Sequence, residues 1–216
     1  MPDTLKIEKK KVFTFHLKNY IEKEEWEKLV SLLPVAEEVE ISTTLLRKCW
    51  ILAGEYLAGE KDWTNAIISY NKARVKNPST IYVFDKLINA FGSFYEQFKN
   101  KFSKADLKIL KDPLVLLIDY HQLNFPKHQA QVEVGKELIQ KINYRMKYVA
   151  EEKIETPATF KVGQIHNAIY DDMTFEELRS EFARIIEPTV RDLVEEKEKE
   201  TKKGKNKKSK KGKKKK

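Results

Sequence analysis

The sequence predicts an all-α protein, a stack of helical hairpins followed by further helices and a strongly charged end, and three observations lead there. Seven glycines and seven prolines in 216 residues, with Gly204 and Gly212 both in the charged end, leave too little turn chemistry for a many-stranded protein. Apolar residues recur at helical spacing along most of residues 8 to 194. At 41% apolar, with eleven phenylalanines and nine tyrosines, the chain can fill a continuous core in one elongated helical domain or two abutting ones.

The first elements follow from Phe13, Leu17 and Tyr20, then Trp26, Leu29, Leu33 and Ala36, which mark the apolar faces of two successive helices. An acidic connector, PVAEEVEIS, is expected from Pro34. A second pair is set out more sharply. Trp50, Gly54 and Leu57 fall on one helix and Ala66, Tyr70 and Ala73 on the next. Gly54 and Ala66 remove volume where two helix axes must approach to about 8–10 Å, and Trp50, Leu57 and Tyr70 fill the grooves beside them. Asp62 stands as the N-cap of the second helix, and Asn77-Pro78 stops it because proline has no N–H to continue the ladder. Cys49, the single cysteine, lies beside Trp50; it forms no internal disulfide and reads as a small core residue rather than a reactive thiol.

In a frame of about 34 residues beginning at Arg47, this large-small-large pattern, closed by Pro78, resembles a tetratricopeptide repeat (TPR) at about residues 47–80. Residues 10–43 are similar to a degenerate copy, with Trp26 standing where Trp63 stands in the better repeat. The two tryptophans are 37 positions apart, three more than the family period, and the surplus fits the connector from Pro34. The family's turn glycine is Lys61 here, with Gly59 two residues earlier, so the turn departs from the pattern. The resemblance implies a TPR-like hairpin array, an α-solenoid, over residues 8–111, whose first helices line a groove for a peptide or helix of a partner. The groove residues it implies are Lys48, Ile51 and Glu55, with Ala58, from the better repeat, and Tyr82, Asp85 and Asn89, with Ser93, from the following helix. Chaperone-binding members of the family clamp a terminal carboxylate with asparagine and lysine; Thr14, Lys18 and Leu52 at the matching positions argue against that ligand.

From Ile81 the phase continues through Phe84, Leu87, Ile88 and Phe91, and the helix is expected to run past Tyr95 and Phe98 to about Phe102, longer than the family's helices. Residues 112–200 read as a C-terminal helical extension and cap. Ser103 to Asp106 opens a short helix, Asp112-Pro113 restarts the chain, and PLVLLIDYHQL is helix or strand on apolar content alone, with the helical neighbourhood favouring helix. Phe125-Pro126 breaks the pattern. From His128 a long amphipathic helix carries Val132, Gly135, Leu138, Ile139, Ile142 and Met146 on one side. Thr156-Pro157 breaks it again, and residues 157 to 172 are of mixed character. A last helix opens at Thr174 with Glu177 three residues on, the reciprocal capping pattern, and carries Leu178, Phe182, Ile185 and Ile186 before Pro188 interrupts it.

Residues 201–216 contain eleven lysines and no acid, so the first 200 residues carry a net charge of −2 and the whole chain +9. A segment with no apolar residue and such self-repulsion is expected to be disordered. Lys202, Lys203, Lys205, Lys207, Lys208, Lys210, Lys211, Lys213, Lys214, Lys215 and Lys216 can hold RNA, DNA or a ribosomal surface by counterion release. Without aromatic or arginine residues in the run, such binding is blind to sequence. The competing reading is a solubilising end with no dedicated partner.

Catalytic chemistry is thin. His16, His121, His128 and His166 are scattered, and no pair has the spacing of a metal site; Phe125-Pro126 between His121 and His128 should spoil their alignment. Glycine-rich phosphate loops and GxSxG motifs are absent, and Asp171-Asp172 is explained by its place next to a helix start. No cofactor and no enzymatic activity are expected. No stretch approaches 18 uncharged apolar residues and no apolar run follows the first lysines, which points to a cytoplasmic protein. The expected function is a non-enzymatic scaffold that binds another protein, with a nucleic-acid- or ribosome-associated protein using its lysine tail as the alternative. An uncovered apolar face at either end of the array would be closed by flanking helices or by a second copy of the chain.

Overall fold

The computed structural model describes residues 2–149 and 157–173. Among these residues there are eight helices and no strand: α1 (Pro2–Glu22), α2 (Trp26–Glu37), α3 (Thr43–Gly59), α4 (Trp63–Lys76), α5 (Ile81–Phe98), α6 (Lys104–Asn124), α7 (Gln129–Met146) and α8 (Pro157–Asp171). The helix from Thr174, its Pro188 interruption and the lysine run at 201–216 lie outside the described residues. Backbone contacts group Met1–Met173 as one unit.

Two of the turns are copies of each other. At the end of α1, Glu25 N–H donates to the Tyr20 carbonyl at 2.9 Å and Glu24 N–H to that of Ile21 at 3.3 Å. At the end of α3, Asp62 N–H donates to Leu57 at 2.9 Å and Lys61 N–H to Ala58 at 3.1 Å. This is the Schellman pattern, which needs a left-handed residue after the helix. Glu24 (φ 55°) and Lys61 (φ 60°) supply it, each two residues before the tryptophan that opens the next helix. Lys61 thus takes the glycine-favouring conformation although it has a side chain. Asp62 caps α4 as its position suggests, its Oδ1 accepting from Asn65 N–H at 3.4 Å.

Packing follows the large and small residues. Trp50, Leu57, Ala66, Tyr70 and Ala73 are all buried, and a side-chain carbon added at Gly54 would lie 2.6 Å from Cε1 of Tyr70. Gly54 is therefore the bare patch against which the Tyr70 ring rests. Consecutive helices from α1 to α5 pack each on the next, α7 packs on α5 and α6, and α8 packs on α4 and α6. One core section joins Leu17, Leu29, Leu33 and Trp50; the other joins Leu57 and Tyr70 to Phe84, Phe91, Leu114 and Ile165. Val30 packs against both.

Four boundaries differ from the sequence expectation. Helix α2 continues through Pro34 to Glu37, so the connector begins at Glu38; Pro34 is exposed, and Leu29, Leu33 and Ala36 hold the other side of the helix in the core. Helix α5 stops at Phe98, and Phe102 folds back so that its ring lies 5.8 Å from that of Phe94. Helix α6 is not restarted at Pro113. It opens on a capping box, with Ser103 Oγ accepting from Asp106 N–H at 3.2 Å and Asp106 Oδ2 accepting from Ser103 N–H at 2.9 Å, and runs unbroken to Asn124. Proline removes one backbone bond, and buried Leu110, Leu114, Leu117 and Ile118 on both sides of it hold the helix against the core. The same run is helix, not strand. Finally, residues 157–171, which lack a clear pattern, form α8 with Ala158, Val162, Ile165 and Ile169 buried along one face.

Candidate functional site

The faces of α1, α3 and α5 that the core does not claim carry the candidate site. Between α1 and α3 lies a groove of about 570 Å³, bordered by Thr14 and Lys18 from one helix and by Lys48, Ile51 and Leu52 from the other. Ser42, just before α3, and Thr44 and Leu45 in its first turn complete the lining together with Arg47. The lining holds three basic residues, Lys18, Arg47 and Lys48, and no acidic one. Arg47 is held in place by donating from Nη1 to Thr80 Oγ1 at 3.0 Å, which joins α3 to the start of α5.

Glu55 and Tyr82 meet across α3 and α5. The Tyr82 hydroxyl donates to Glu55 Oε1, and Lys86 Nζ lies 3.4 Å from the same oxygen and 5.2 Å from the centre of the Tyr82 ring. The hydrogen bond to Glu55, then partial burial, raise the Tyr82 phenol above its ordinary value, so it stays a donor. Tyr82 is nevertheless 48% exposed, a large aromatic held in one orientation by its own neighbours. Asp85 Oδ1 accepts from Asn89 Nδ2 at 3.4 Å one turn along α5. Asn89 and Ser93 then border a second groove, about 450 Å³, between α5 and α7, with Val134, Glu137 and Lys141 opposite.

The six groove residues expected from the sequence are therefore spread over three adjoining places. Lys48 and Ile51 lie in the α1–α3 groove, Glu55 and Tyr82 bridge α3 and α5, and Asp85 and Asn89 lead toward α7. Arg47, Leu45 and Lys86 belong to the same face and were not foreseen. Lys86 could have been found from its place four residues after Tyr82 on one helix face. The lysines from Lys202 to Lys216 lie outside the described residues. A larger depression of about 720 Å³ beside Tyr95, Tyr144 and Arg145 is bordered by charges already engaged nearby, Lys99 with Glu96 and Arg145 with the Asn100 side chain.

Two other polar clusters lie away from this face, and the first corrects the sequence reading. His121 and His128 are not kept apart by Phe125-Pro126. The backbone turns tightly there, Phe125 N–H donating to His121 and His128 N–H to Phe125, both at 2.9 Å, and this brings His121 Nε2 to 2.8 Å from His128 Nδ1. His121 also stacks on Phe84, with ring centres 3.7 Å apart and planes within 2°. Burial first, then the charges of His128 and Arg74, pull His121 down to about 4. Asp172 follows α8, and its carboxylate accepts from Lys72 Nζ at 2.6 Å and from Asn71 Nδ2 at 3.1 Å on α4; the helix start expected after it, at Thr174, lies outside the described residues. Lys72 also pairs with Glu37 at 3.5 Å, and Glu37 accepts from Trp50 Nε1 at 3.0 Å and pairs with Lys76 at 2.7 Å. Burial works against the Lys72 charge, but Asp172 and Glu37 outweigh it and raise its proton affinity.

Among the described residues no three histidine, cysteine, aspartate or glutamate side chains come together as a metal site, and no helix is long and apolar enough to cross a membrane. Cys49 is buried, and burial pushes its thiol up to about 11. The chain matches no protein-family model, no curated protein and no solved structure.

Proposed function

We propose that the chain is a non-enzymatic protein-interaction scaffold of the TPR type, an α-solenoid whose face along α1, α3 and α5 receives a peptide or helix of a partner protein. The observation that carries this reading is the repetition: two helix pairs with the same left-handed turn at Glu24 and Lys61, each followed two residues on by a tryptophan. A repeated hairpin that exposes one helix of each pair builds a long open face, and such faces work as binding surfaces. Tyr82, held by Glu55 and Lys86, gives the face an aromatic anchor of the kind that dominates interfaces.

The test is capture of cytoplasmic proteins by the full chain and by a Tyr82→Ala, Asp85→Ala variant. Loss of specific captured proteins supports the groove, and identical capture by both refutes it. A second reading rests on the eleven lysines at 201–216: association with RNA, DNA or a ribosomal surface. It predicts log affinity for duplex DNA falling with log salt by about 0.9 per phosphate neutralised. Salt-insensitive binding would exclude it.

A further inference from the structure

We propose that the α1–α3 groove takes an acidic segment of a partner protein that seats an apolar side chain on Leu45, Ile51 and Leu52 beneath Lys18, Arg47 and Lys48. The proposal rests on the reading of this body as a protein-interaction scaffold and names the chemistry of its partner.

Charge complementarity carries it. Some lysines elsewhere on the described surface have carboxylate partners, such as Lys28 with Glu25, Lys72 with Asp172 and Lys136 with Glu133, and others, such as Lys23 and Lys61, have none among the described residues; what marks this groove is that its lining gathers three cations and no carboxylate. Lys18 and Lys48 form no ion pair with any described residue, and Arg47 bonds only the neutral Thr80 hydroxyl. Three cations thus border one groove without a counter-charge, in a chain whose first 200 residues are net negative. Overall composition does not account for that local sign. The floor between them is aliphatic, which suits a leucine- or phenylalanine-like anchor and leaves a bare phosphate chain with surface it cannot use. No aromatic side chain lines the groove to stack a base, which favours an acidic peptide over a single-stranded nucleic acid. Arg47 is braced against α5, so its guanidinium is already ordered when a carboxylate arrives and little further ordering is needed to bind it.

The experiment selects binders from a randomised peptide library on the full chain, after removing library members that bind a free peptide of residues 201–216. Selected peptides are then measured on the native chain, on the Lys18→Glu, Lys48→Glu variant and on Ile51→Asp, each checked by circular dichroism for native helix content. The proposal expects selected sequences with Asp or Glu flanking a large apolar residue. It also expects a loss of about tenfold or more on the charge-reversed variant, and recovery when the peptide's acids are changed to lysine. Peptides that depend on Ile51 but carry no acids would overturn this proposal and leave the scaffold reading standing. If no selected peptide responds to either variant, both fall. An oligouridine that binds with the same dependence on Lys18 and Lys48, while peptides do not, would overturn it in favour of a nucleic-acid ligand.

Discussion

Replacing Gly54 and Gly92 by alanine, one at a time, separates helix propensity from packing. Both glycines lie inside helices, so each alanine gains about 1 kcal/mol of intrinsic helix stability. At Gly92 nothing lies within 4 Å of the added carbon, and the gain stands. At Gly54 the added carbon would meet Tyr70 Cε1 at 2.6 Å and Cδ1 at 2.8 Å, where an ordinary carbon contact is about 3.5–4.0 Å. The ring must move by roughly 1 Å, and it is 2% exposed in a core section that also holds buried Leu57, Ala66 and Phe84. Overpacking of this kind costs about 1–3 kcal/mol, so Gly54→Ala is expected to be net destabilising by about 1 kcal/mol. The two variants should then differ by about 2 kcal/mol, or roughly 4–8 °C in Tm for a chain of this size. Thermal and urea unfolding followed by far-UV circular dichroism reads both. A Tyr70→Leu background should abolish the penalty at Gly54 and leave Gly92 unchanged. If Gly54→Ala raises Tm as much as Gly92→Ala does, the close approach of α3 and α4 at that point is wrong.

Further outcomes follow from other features. Lys61→Gly and Glu24→Gly relieve left-handed conformations that cost an L-residue about 1 kcal/mol, so each should raise stability by up to that amount in urea unfolding. His121 binds a proton near 6.5 when unfolded but only near 4 when folded, so its contribution to stability is intact above pH 6.5 and is lost as pH falls toward 4. At about 1.36 kcal/mol per pH unit the loss comes to roughly 3 kcal/mol, and His121→Phe should flatten that part of the stability curve. The Cys49 thiol, buried and pushed up to about 11, should react with a thiol reagent only after unfolding; prompt labelling of the native chain would contradict its burial. Asp172→Asn should cost up to about 1 kcal/mol by removing one of the two carboxylate partners of Lys72, with an effect that weakens in high salt.

What could be read from the sequence was whatever local packing controls. Trp50, Gly54, Tyr70 and Ala73 announce two helices in close contact because volume and spacing alone decide how such helices meet. The expected breaks at Pro34 and Pro113 do not occur, for one reason. A proline's local cost of about 3 kcal/mol is offset by the burial of Leu33 and Ala36, or of Leu110 and Leu114, which local sequence does not show. Of the site, Lys48, Ile51 and Tyr82 could be placed from the repeat phase, since helical register fixes which residues leave the core. Arg47 as a groove residue, the Glu55–Tyr82 bond and the His121–His128 pair could not. They depend on how separate helices are set beside each other, or on a turn whose shape its hydrogen bonds determine.

The link between α4 and α8 bears on the order of assembly. Helices α1 to α5 each meet the next along the chain, and contacts of such short sequence separation form fast. Asn71 and Lys72 instead reach partners about 100 residues downstream, with Ala168 and Asp172 at the far end of α8. Closing so long a loop waits until both ends exist and the surface between α4 and α6 is in place. On a ribosome the hairpins can assemble while α8 is still unmade, and the growing chain leaves apolar surface of α4 and α6 uncovered until α8 packs on both with its buried Val162, Ile165 and Ile169. In the finished protein the same helix is the natural first unit to open, and amide exchange along α8 should outpace exchange in α4.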